Sequence, residues 1–281
     1  MTSTTFHIHN PDVRTPDRQC RSLLTAEEED QLIYAGFAIP ARGLPPAAVT
    51  VLGDAVDALA AARFSSPAQK TYQEEFPGQY IRDPHKTDPR LLTMPLLDYP
   101  LADTARTVLG PRIVLRNSNI RITHPRSGDS TIWHTDYRPH VSPPPRLGAF
   151  PAVITALIYL DPADELTGPL YVVPGTHRAP GQPTATMDPL AGQAELVIAP
   201  GQVIVMNAAL WHRGGANTSR DRTRRLITLQ LSTIFMATHS FADTPPSAAY
   251  TRLAEQASST ADEPLLELLG MGGINRADAL Y

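Results

Sequence analysis

Thr167-Gly-Pro-Leu-Tyr-Val-Val-Pro-Gly-Thr-His-Arg178 contains a short β-type run, Leu170–Val173, closed by a Pro174-Gly turn. Runs of the same kind lie on both sides: Arg112–Thr123, Thr131–Asp136 and Ala152–Leu160 before it, Glu195–Ile198, Gln202–Asn207 and Arg224–Ile234 after it. Each is short and either β-branched or alternating, and turn residues such as Pro125-Arg-Ser-Gly, Asp161-Pro and Pro200-Gly separate them. With 28 prolines and 17 glycines in 281 residues, the chain is punctuated too often for a helical bundle. Short strands following a helical preface predict a mainly β fold with helical decoration, a sandwich or jelly roll with helices packed on one side.

The preface reads as follows. Residues 1–24 are polar and irregular, an arm on the surface. Thr25-Ala-Glu-Glu-Glu starts a helix with an N-cap and an acidic first turn; it runs to about Ala35, where Gly36 ends it before a short strand, Phe37-Ala-Ile-Pro. A second amphipathic helix spans Pro45–Arg63, with Val49, Leu52, Val56 and Leu59 at helical spacing. Ser65–Arg90, with Pro67, Pro77, Pro84 and Pro89, reads as a long polar loop, and a third helix covers Leu96–Leu109 before Gly110. The tail from Ser247 holds one or two short helices. The expectation is one domain over residues 1–281: a mostly helical part at 1–110, a jelly-roll core at 111–235 and a helical tail at 236–281.

Composition narrows the function. Hydrophobic residues make up 42% and charged residues 19%, a globular balance. The longest apolar runs, such as Ala152–Leu160, fall far short of the roughly 20 residues that span a bilayer. The first residues carry His7, Asp12, Arg14 and Asp17 and no apolar core of a secretory signal. The one cysteine, Cys20, excludes an internal disulfide and thiolate-rich zinc or iron–sulfur sites. A net charge of −4 is the wrong sign for a nucleic-acid binder. A cytoplasmic protein acting on a small molecule is expected, with neither nucleic acid nor membrane as partner.

The chemistry-bearing stretch is Trp133-His134-Thr135-Asp136. Positions two apart on a strand share a face, so His134 and Asp136 can grip one metal ion. His212, in Asn207-Ala-Ala-Leu-Trp-His-Arg just after a strand, completes a two-histidine, one-carboxylate set that leaves one metal face open. The plain alternative for His212 is a core histidine satisfied beside Trp211. The other histidines fit a ligand role less well: His7 and His9 lie in the arm, His85 and His140 in proline-rich loops, His124 against Pro125 and His177 in the turn.

Gly168-Pro-Leu-Tyr-Val-Val-Pro-Gly-Thr-His-Arg resembles the hallmark of the phytanoyl-CoA dioxygenase family of Fe(II)/2-oxoglutarate oxygenases. The order matches too: His-x-Asp, this turn, a distal histidine, then an arginine, over roughly Arg112 to Ser232. The resemblance implies a double-stranded β-helix in which His134, Asp136 and His212 bind Fe(II). It also implies an arginine on the next strand that holds the far carboxylate of 2-oxoglutarate, since a planar guanidinium pairs with a carboxylate through two hydrogen bonds. Arg222, Arg224 and Arg225 follow His212, and the family spacing favours Arg224. Its strand alternates, with Arg224, Leu226, Thr228, Gln230 and Ser232 on one face and Arg225, Ile227, Leu229 and Leu231 on the other. The comparison further implies an amide near the cosubstrate, Asn119, and a hydroxyl toward it, Thr167; their plain readings are a sheet-surface amide and a turn residue. His177 reads as a residue that fixes the turn or supports the ligands from behind rather than as a ligand. Asp136 stands where related halogenases carry a small residue, which favours hydroxylation.

The implied reaction uses O₂ and converts 2-oxoglutarate to succinate and CO₂ while a substrate C–H bond is hydroxylated. Ser65–Arg90 and Tyr137–Phe150 are the expected lid. Similarity to antibiotic-pathway oxygenases implies an aminoglycoside of the kanamycin B type, oxidised at an amine-bearing carbon to a ketone with loss of ammonia. Glu74, Glu75 and Asp83 are available to meet a polycation, and the lid segments show no Lys/Arg cluster for a coenzyme A thioester. Three alternatives stand beside this: a hydroxylase of another small natural product, a non-redox cupin-like isomerase or hydrolase, and a metal-free sugar-binding jelly roll.

Overall fold

Thr25 caps helix α1 (Ala26–Ala35) reciprocally: its hydroxyl accepts from the Glu28 amide at 3.2 Å, and the Glu28 carboxylate accepts from the Thr25 amide at 2.7 Å. Gly36 ends the helix in the left-handed conformation and leads into β3 (Phe37–Ala38). The computed structural model describes residues 3–6, 18–63, 79–128, 130–136, 152–179, 181–233 and 245–271. Before α1, the expected irregular arm contains two strands instead, β1 (Ser3–Phe6) and β2 (Arg18–Arg21), paired antiparallel. Helix α2 (Pro46–Arg63) follows as expected.

The segment read as a loop over Ser65–Arg90 is structured in its second half; residues 64–78 lie outside the described residues. Strand β4 (Gln79–Arg82) pairs with β5 (Ile113–Thr123), and two single-turn helices follow, α3 (Pro84–Thr87) and α4 (Arg90–Thr93). Pro84 opens α3 because the first helical turn needs no partner for its N–H. The helix expected over Leu96–Leu109 is broken: a π-turn spans Met94–Asp98, and α5 begins only at Leu101 and runs to Leu109. The steric demand of Pro100 on its predecessor is the reason, since Tyr99 is extended at φ −102, ψ 119.

Strands β6 (Val153–Tyr159), β7 (Leu170–Val173), β8 (Ala194–Leu196), β9 (Val203–Asn207), β10 (Trp211–Gly214) and β11 (Arg224–Thr233) complete the β framework. Six strands form one antiparallel sheet in the order β3-β9-β6-β11-β5-β4, and β10-β7-β8 form a second. The two face each other as a jelly-roll core, helices covering the outer face of the larger sheet. Because β3 and β4 are its edge strands, the helical preface and the β core share one sheet rather than meeting at residue 110. Helices α6 (Ala248–Thr260) and α7 (Glu263–Leu268) form the tail.

Strand alternation sends alternate residues to two hydrophobic layers. Ile154, Ile158, Ile227, Leu229 and Leu231 join Leu52, Leu91 and Leu101 of the helices, whereas Leu157, Tyr159, Ile204 and Met206 pack between the sheets on Leu170, Val172 and Leu210. No described helix is long and apolar enough to cross a membrane.

One expected strand is absent. Thr131–Asp136 makes a single bridge, His134 to His212, because its other amides go elsewhere: Trp133 donates to Thr186 and Asp136 to Ala208. His212, expected after a strand, lies within β10, since the chain turns at Asn207–Leu210 and re-enters the smaller sheet.

Candidate metal centre

The bridge between His134 and His212 is reciprocal, each amide donating to the other's carbonyl at 3.0 Å. It lays the two imidazoles side by side with ring centroids 4.2 Å apart. His134 Nδ1 is 2.8 Å from the Ile132 carbonyl and His212 Nδ1 is 3.0 Å from the Leu210 carbonyl. A carbonyl only accepts, so each Nδ1 carries the proton and each Nε2 carries the lone pair that a metal requires. Both Nε2 atoms face one carboxylate oxygen, Asp136 Oδ1, at 4.0 Å from His134 and 3.7 Å from His212. One ion bonded at about 2.1 Å to each donor spans pairs up to about 4.2 Å apart, so these separations suit a shared ion. The three donor atoms lie within 4.8 Å of one another.

The other carboxylate oxygen is held. Thr155, on β6, donates from its hydroxyl to Asp136 Oδ2 at 2.6 Å, which turns Oδ1 toward the histidines. Nothing in the sequence pairs Thr155 with Asp136: it is one β-branched residue inside a buried strand, and only the threading of 131–136 past β6 brings them together. The His134 and Asp136 side chains remain 21% and 16% exposed while that of His212 is 6% exposed, so the open side of the centre faces outward past the first two.

The three arginines after His212 part company here. Arg222 pairs with Asp164 at the surface, and that guanidinium holds the Asp164 carboxyl well below the usual carboxylate range. Arg225 points to the helical side of the sheet, where Nε and Nη2 each bond Asp161 at 2.8 Å and Nη1 bonds Asp57 at 2.8 Å. Arg224 turns the other way and is buried. Its Nη1 donates to the Gly168 and Gly215 carbonyls and its Nη2 donates to the Thr123 hydroxyl at 3.2 Å. Gly168 is required there: with φ +93, a Cβ would stand 2.2 Å from the Gly215 carbonyl oxygen and 2.5 Å from Arg224 Nη1. Arg224 Nη2 also lies 3.8 Å from where a Cβ of Gly214 would be, two positions beyond His212 on β10.

Asn119 is buried opposite Thr228; its Nδ2 donates to Asn117 at 2.8 Å and its Oδ1 has no hydrogen-bond partner among the described residues. Thr167 departs from the cosubstrate reading. Its hydroxyl donates to the Pro162 carbonyl at 2.6 Å and accepts from the Asp164 amide at 3.0 Å, so the turn accounts for its burial. His177 Nε2 stands 3.0 Å from the Ile33 carbonyl, a contact between the turn and helix α1. Tyr137–Phe150 lies outside the described residues.

This arrangement, two imidazoles and one carboxylate between antiparallel sheets with a buried arginine beside them, is that of an iron-dependent oxygenase. Residues 34–226 match the model of the phytanoyl-CoA dioxygenase (PhyH) family, and the chain belongs to that family of dioxygenases. Dioxygenase af480 of Aspergillus fumigatus is 25% identical over 217 residues, covering 72% of this chain and 66% of that protein, so the chain spans just under two thirds of that relative. The crystal structure of HygX from Streptomyces hygroscopicus, with nickel and 2-oxoglutarate bound, superposes with a TM-score of 0.62 at 17% identity, over 81% of this chain and 93% of that one. SnoK, a non-heme α-ketoglutarate-dependent carbocyclase from nogalamycin biosynthesis, superposes with a TM-score of 0.58 at 18% identity, over 76% of this chain and 87% of that one. These two structures share the jelly-roll fold with this chain.

Proposed function

We propose that this protein is an Fe(II)- and 2-oxoglutarate-dependent oxygenase of antibiotic biosynthesis that hydroxylates an amine-bearing carbon of an aminoglycoside. His134, Asp136 and His212 hold the iron, and Arg224 holds the distal carboxylate of 2-oxoglutarate. The bound iron supplies O₂ activation coupled to decarboxylation of 2-oxoglutarate, leaving succinate and CO₂. The chain's own groups set the geometry. The Ile132 and Leu210 carbonyls keep both histidines in the coordinating tautomer, Thr155 aims the Asp136 carboxylate, and Arg224 neutralises a carboxylate that burial would otherwise make costly. One oxygen atom of O₂ enters succinate and the other enters the C–H bond of the amine-bearing carbon. The resulting carbinolamine loses ammonia to give a ketone.

The observation that carries the oxygenase reading is the buried arginine on the same side of the sheet as the His-Asp-His set. A non-redox isomerase or a sugar-binding module has no use for it. The amine-bearing substrate is supported by a buried acceptor that has no hydrogen-bond partner among the described residues, Asn119 Oδ1. Asn119 pairs with Thr228 and lies on the face of the sheet that carries Arg224 and Thr155. An unpaired buried acceptor favours a ligand that brings donors, as ammonium and hydroxyl groups do. SnoK's place in nogalamycin biosynthesis and the net charge of −4 agree with a natural-product substrate that carries positive charge.

The test is stoichiometry. With kanamycin B, one 2-oxoglutarate consumed should accompany one succinate, one ketone and one ammonia; an analogue bearing hydroxyl in place of the amine should release no ammonia. Succinate formed from kanamycin B without ammonia means hydroxylation at another carbon. Turnover with an acyl-CoA and none across aminoglycosides overturns the substrate while leaving the iron site in place.

A further inference from the structure

We infer that Gln230 reads the substrate: its side-chain amide takes a hydroxyl on the carbon next to the one oxidised and so decides which C–H bond meets the iron. The inference rests on the substrate reading above. Gln230 stands on β11 between two inward-facing neighbours, opposite Thr155 of β6 on one side and Asn117 of β5 on the other. Side chains directly opposite on antiparallel strands have Cβ atoms about 5 Å apart. Thr155 is the residue that bonds Asp136 at 2.6 Å, so Gln230 lies one strand away from a contact to the His-Asp-His set.

The fold leaves this amide unsatisfied. The hydroxyl proton of Thr155 goes to Asp136, and the side-chain oxygen of Asn117 accepts from Asn119 at 2.8 Å. Gln230 is 8% exposed, and its side chain makes no hydrogen bond among the described residues. A polar group covered this far and left without partners is costly, and a bound ligand removes the cost.

The type of group follows from what the amide offers. It has two N–H donors and one carbonyl acceptor, and a hydroxyl, with one proton and two lone pairs, pairs with both ends. An ammonium has donors alone, so Gln230 Nε2 would face it with nothing to bond. Asn117, Asn119, Thr155, Thr228 and Ser232 share this face with Gln230, and none of them carries a charge to balance an ammonium. The amine-bearing carbon therefore turns toward the iron and the neighbouring hydroxyl toward Gln230. The single strand spacing between Gln230 and Thr155 matches adjacent carbons of one ring rather than distant parts of the substrate.

The experiment titrates anaerobic protein, loaded with Fe(II) and 2-oxoglutarate, by calorimetry. The two ligands are kanamycin B and its analogue lacking the hydroxyl next to the amine-bearing carbon. Gln230→Met removes both polar ends of the side chain at nearly constant shape. It should weaken kanamycin B about 5- to 30-fold and leave the deoxy analogue within about 2-fold of the parent. Affinity for 2-oxoglutarate, read without sugar, should stay within about 2-fold. In air, the variant should release less than one ammonia per succinate, because a ring no longer held presents other bonds. Equal weakening of both sugars, or a loss of 2-oxoglutarate affinity, makes Gln230 a structural or cosubstrate residue, and unchanged affinity for kanamycin B removes it from the site; each result overturns the inference. Parent protein that binds neither sugar overturns the substrate reading and the inference with it. Parent protein that turns over kanamycin B, while Gln230→Met keeps the full preference over the deoxy analogue, overturns the inference alone.

Discussion

Replacing Arg224 by alanine is expected to weaken 2-oxoglutarate binding by about 100- to 1,000-fold, and replacing its neighbour Arg225 by less than about 3-fold. The difference follows from where each side chain goes. Arg224 is 3% exposed, and removing one partner of a buried charge pair costs about 3–5 kcal/mol. Each 1.4 kcal/mol is a factor of ten, so the full cost corresponds to about 10² to a few times 10³. Part of it falls on the cosubstrate-free protein, because Arg224 also bonds Gly168, Gly215 and Thr123 there. That share lowers stability rather than affinity and brings the expected loss to the lower part of the range.

Arg225 is a different case. Its bonds to Asp161 and Asp57 tie the start of β11 to the Asp161 turn and to α2. The Asp57 side chain is 62% exposed, so water screens that pair, and the Asp161 pair is part-exposed. Arg225→Ala should therefore cost about 1–2 kcal/mol of folding stability and leave the cosubstrate site alone. Anaerobic titration of Fe(II)-loaded variants with 2-oxoglutarate reads affinity, and denaturant unfolding reads stability. The reverse pattern, with Arg225→Ala losing the cosubstrate and Arg224→Ala keeping it, refutes the assignment.

Two further outcomes test the centre and the fold behind it. Thr155→Val removes the bond to Asp136 at constant shape and should lower iron affinity about 10- to 100-fold, while His212→Ala should abolish stoichiometric binding; chelator competition measures both, and unchanged affinity in either removes that residue from the centre. Burial lowers the pKa of His85 from 6.5 to about 4, against the pull of Asp83 and with the push of Lys86. The unfolded chain thus binds the proton first: His85 contributes its full stability above about pH 6.5 and loses up to about 3 kcal/mol as pH falls toward 4. His85→Gln should show a smaller fall in urea midpoint between pH 7 and 4.5 than the parent, and equal falls would refute it.

How much of this was readable in advance varies with the kind of signal. Strands β5 to β9, β11 and the capped α1 were legible because alternation and capping are local, printed within a few residues, whereas β10 was not read as a strand. The break before α5 was legible in principle, since Pro100 restrains Tyr99, but helical periodicity on both sides masked it. His134 and Asp136 were grouped on strand spacing, yet the structure brings them near His212 by a single bridge and by Asp136 reaching Ala208. Thr155 carried no signal at all. A threonine beside an apolar run announces a strand, and its partner is fixed only when distant segments cross. Thr167 drew attention by standing before Gly168-Pro, and its hydroxyl is taken up by the turn that those residues build.

The strand β11 shows why the register matters more than any one residue in it. Ile227, Leu229 and Leu231 anchor the strand in the helical layer, and Arg225 reaches the same side to bond Asp57 on α2. The alternate residues, Arg224, Thr228, Gln230 and Ser232, line the interior, pairing across with Thr123, Asn119, Asn117 and Val114. A slip of one residue would bury the Arg225 charge in the interior, push Arg224 into the aliphatic layer and carry Ile227 and Leu229 to the polar face. The apolar face therefore enforces the polar one: the energy that fixes Arg224 beside Gly214 comes from aliphatic side chains on the far side of the sheet. Proximity to the His134, Asp136 and His212 cluster is set the same way, since Thr155 faces inward because Ile154 and Ala156 on either side of it are held in the helical layer. Thr155 reaches Asp136 and Arg224 lies beside Gly214 from two adjacent strands that one hydrophobic layer holds in register.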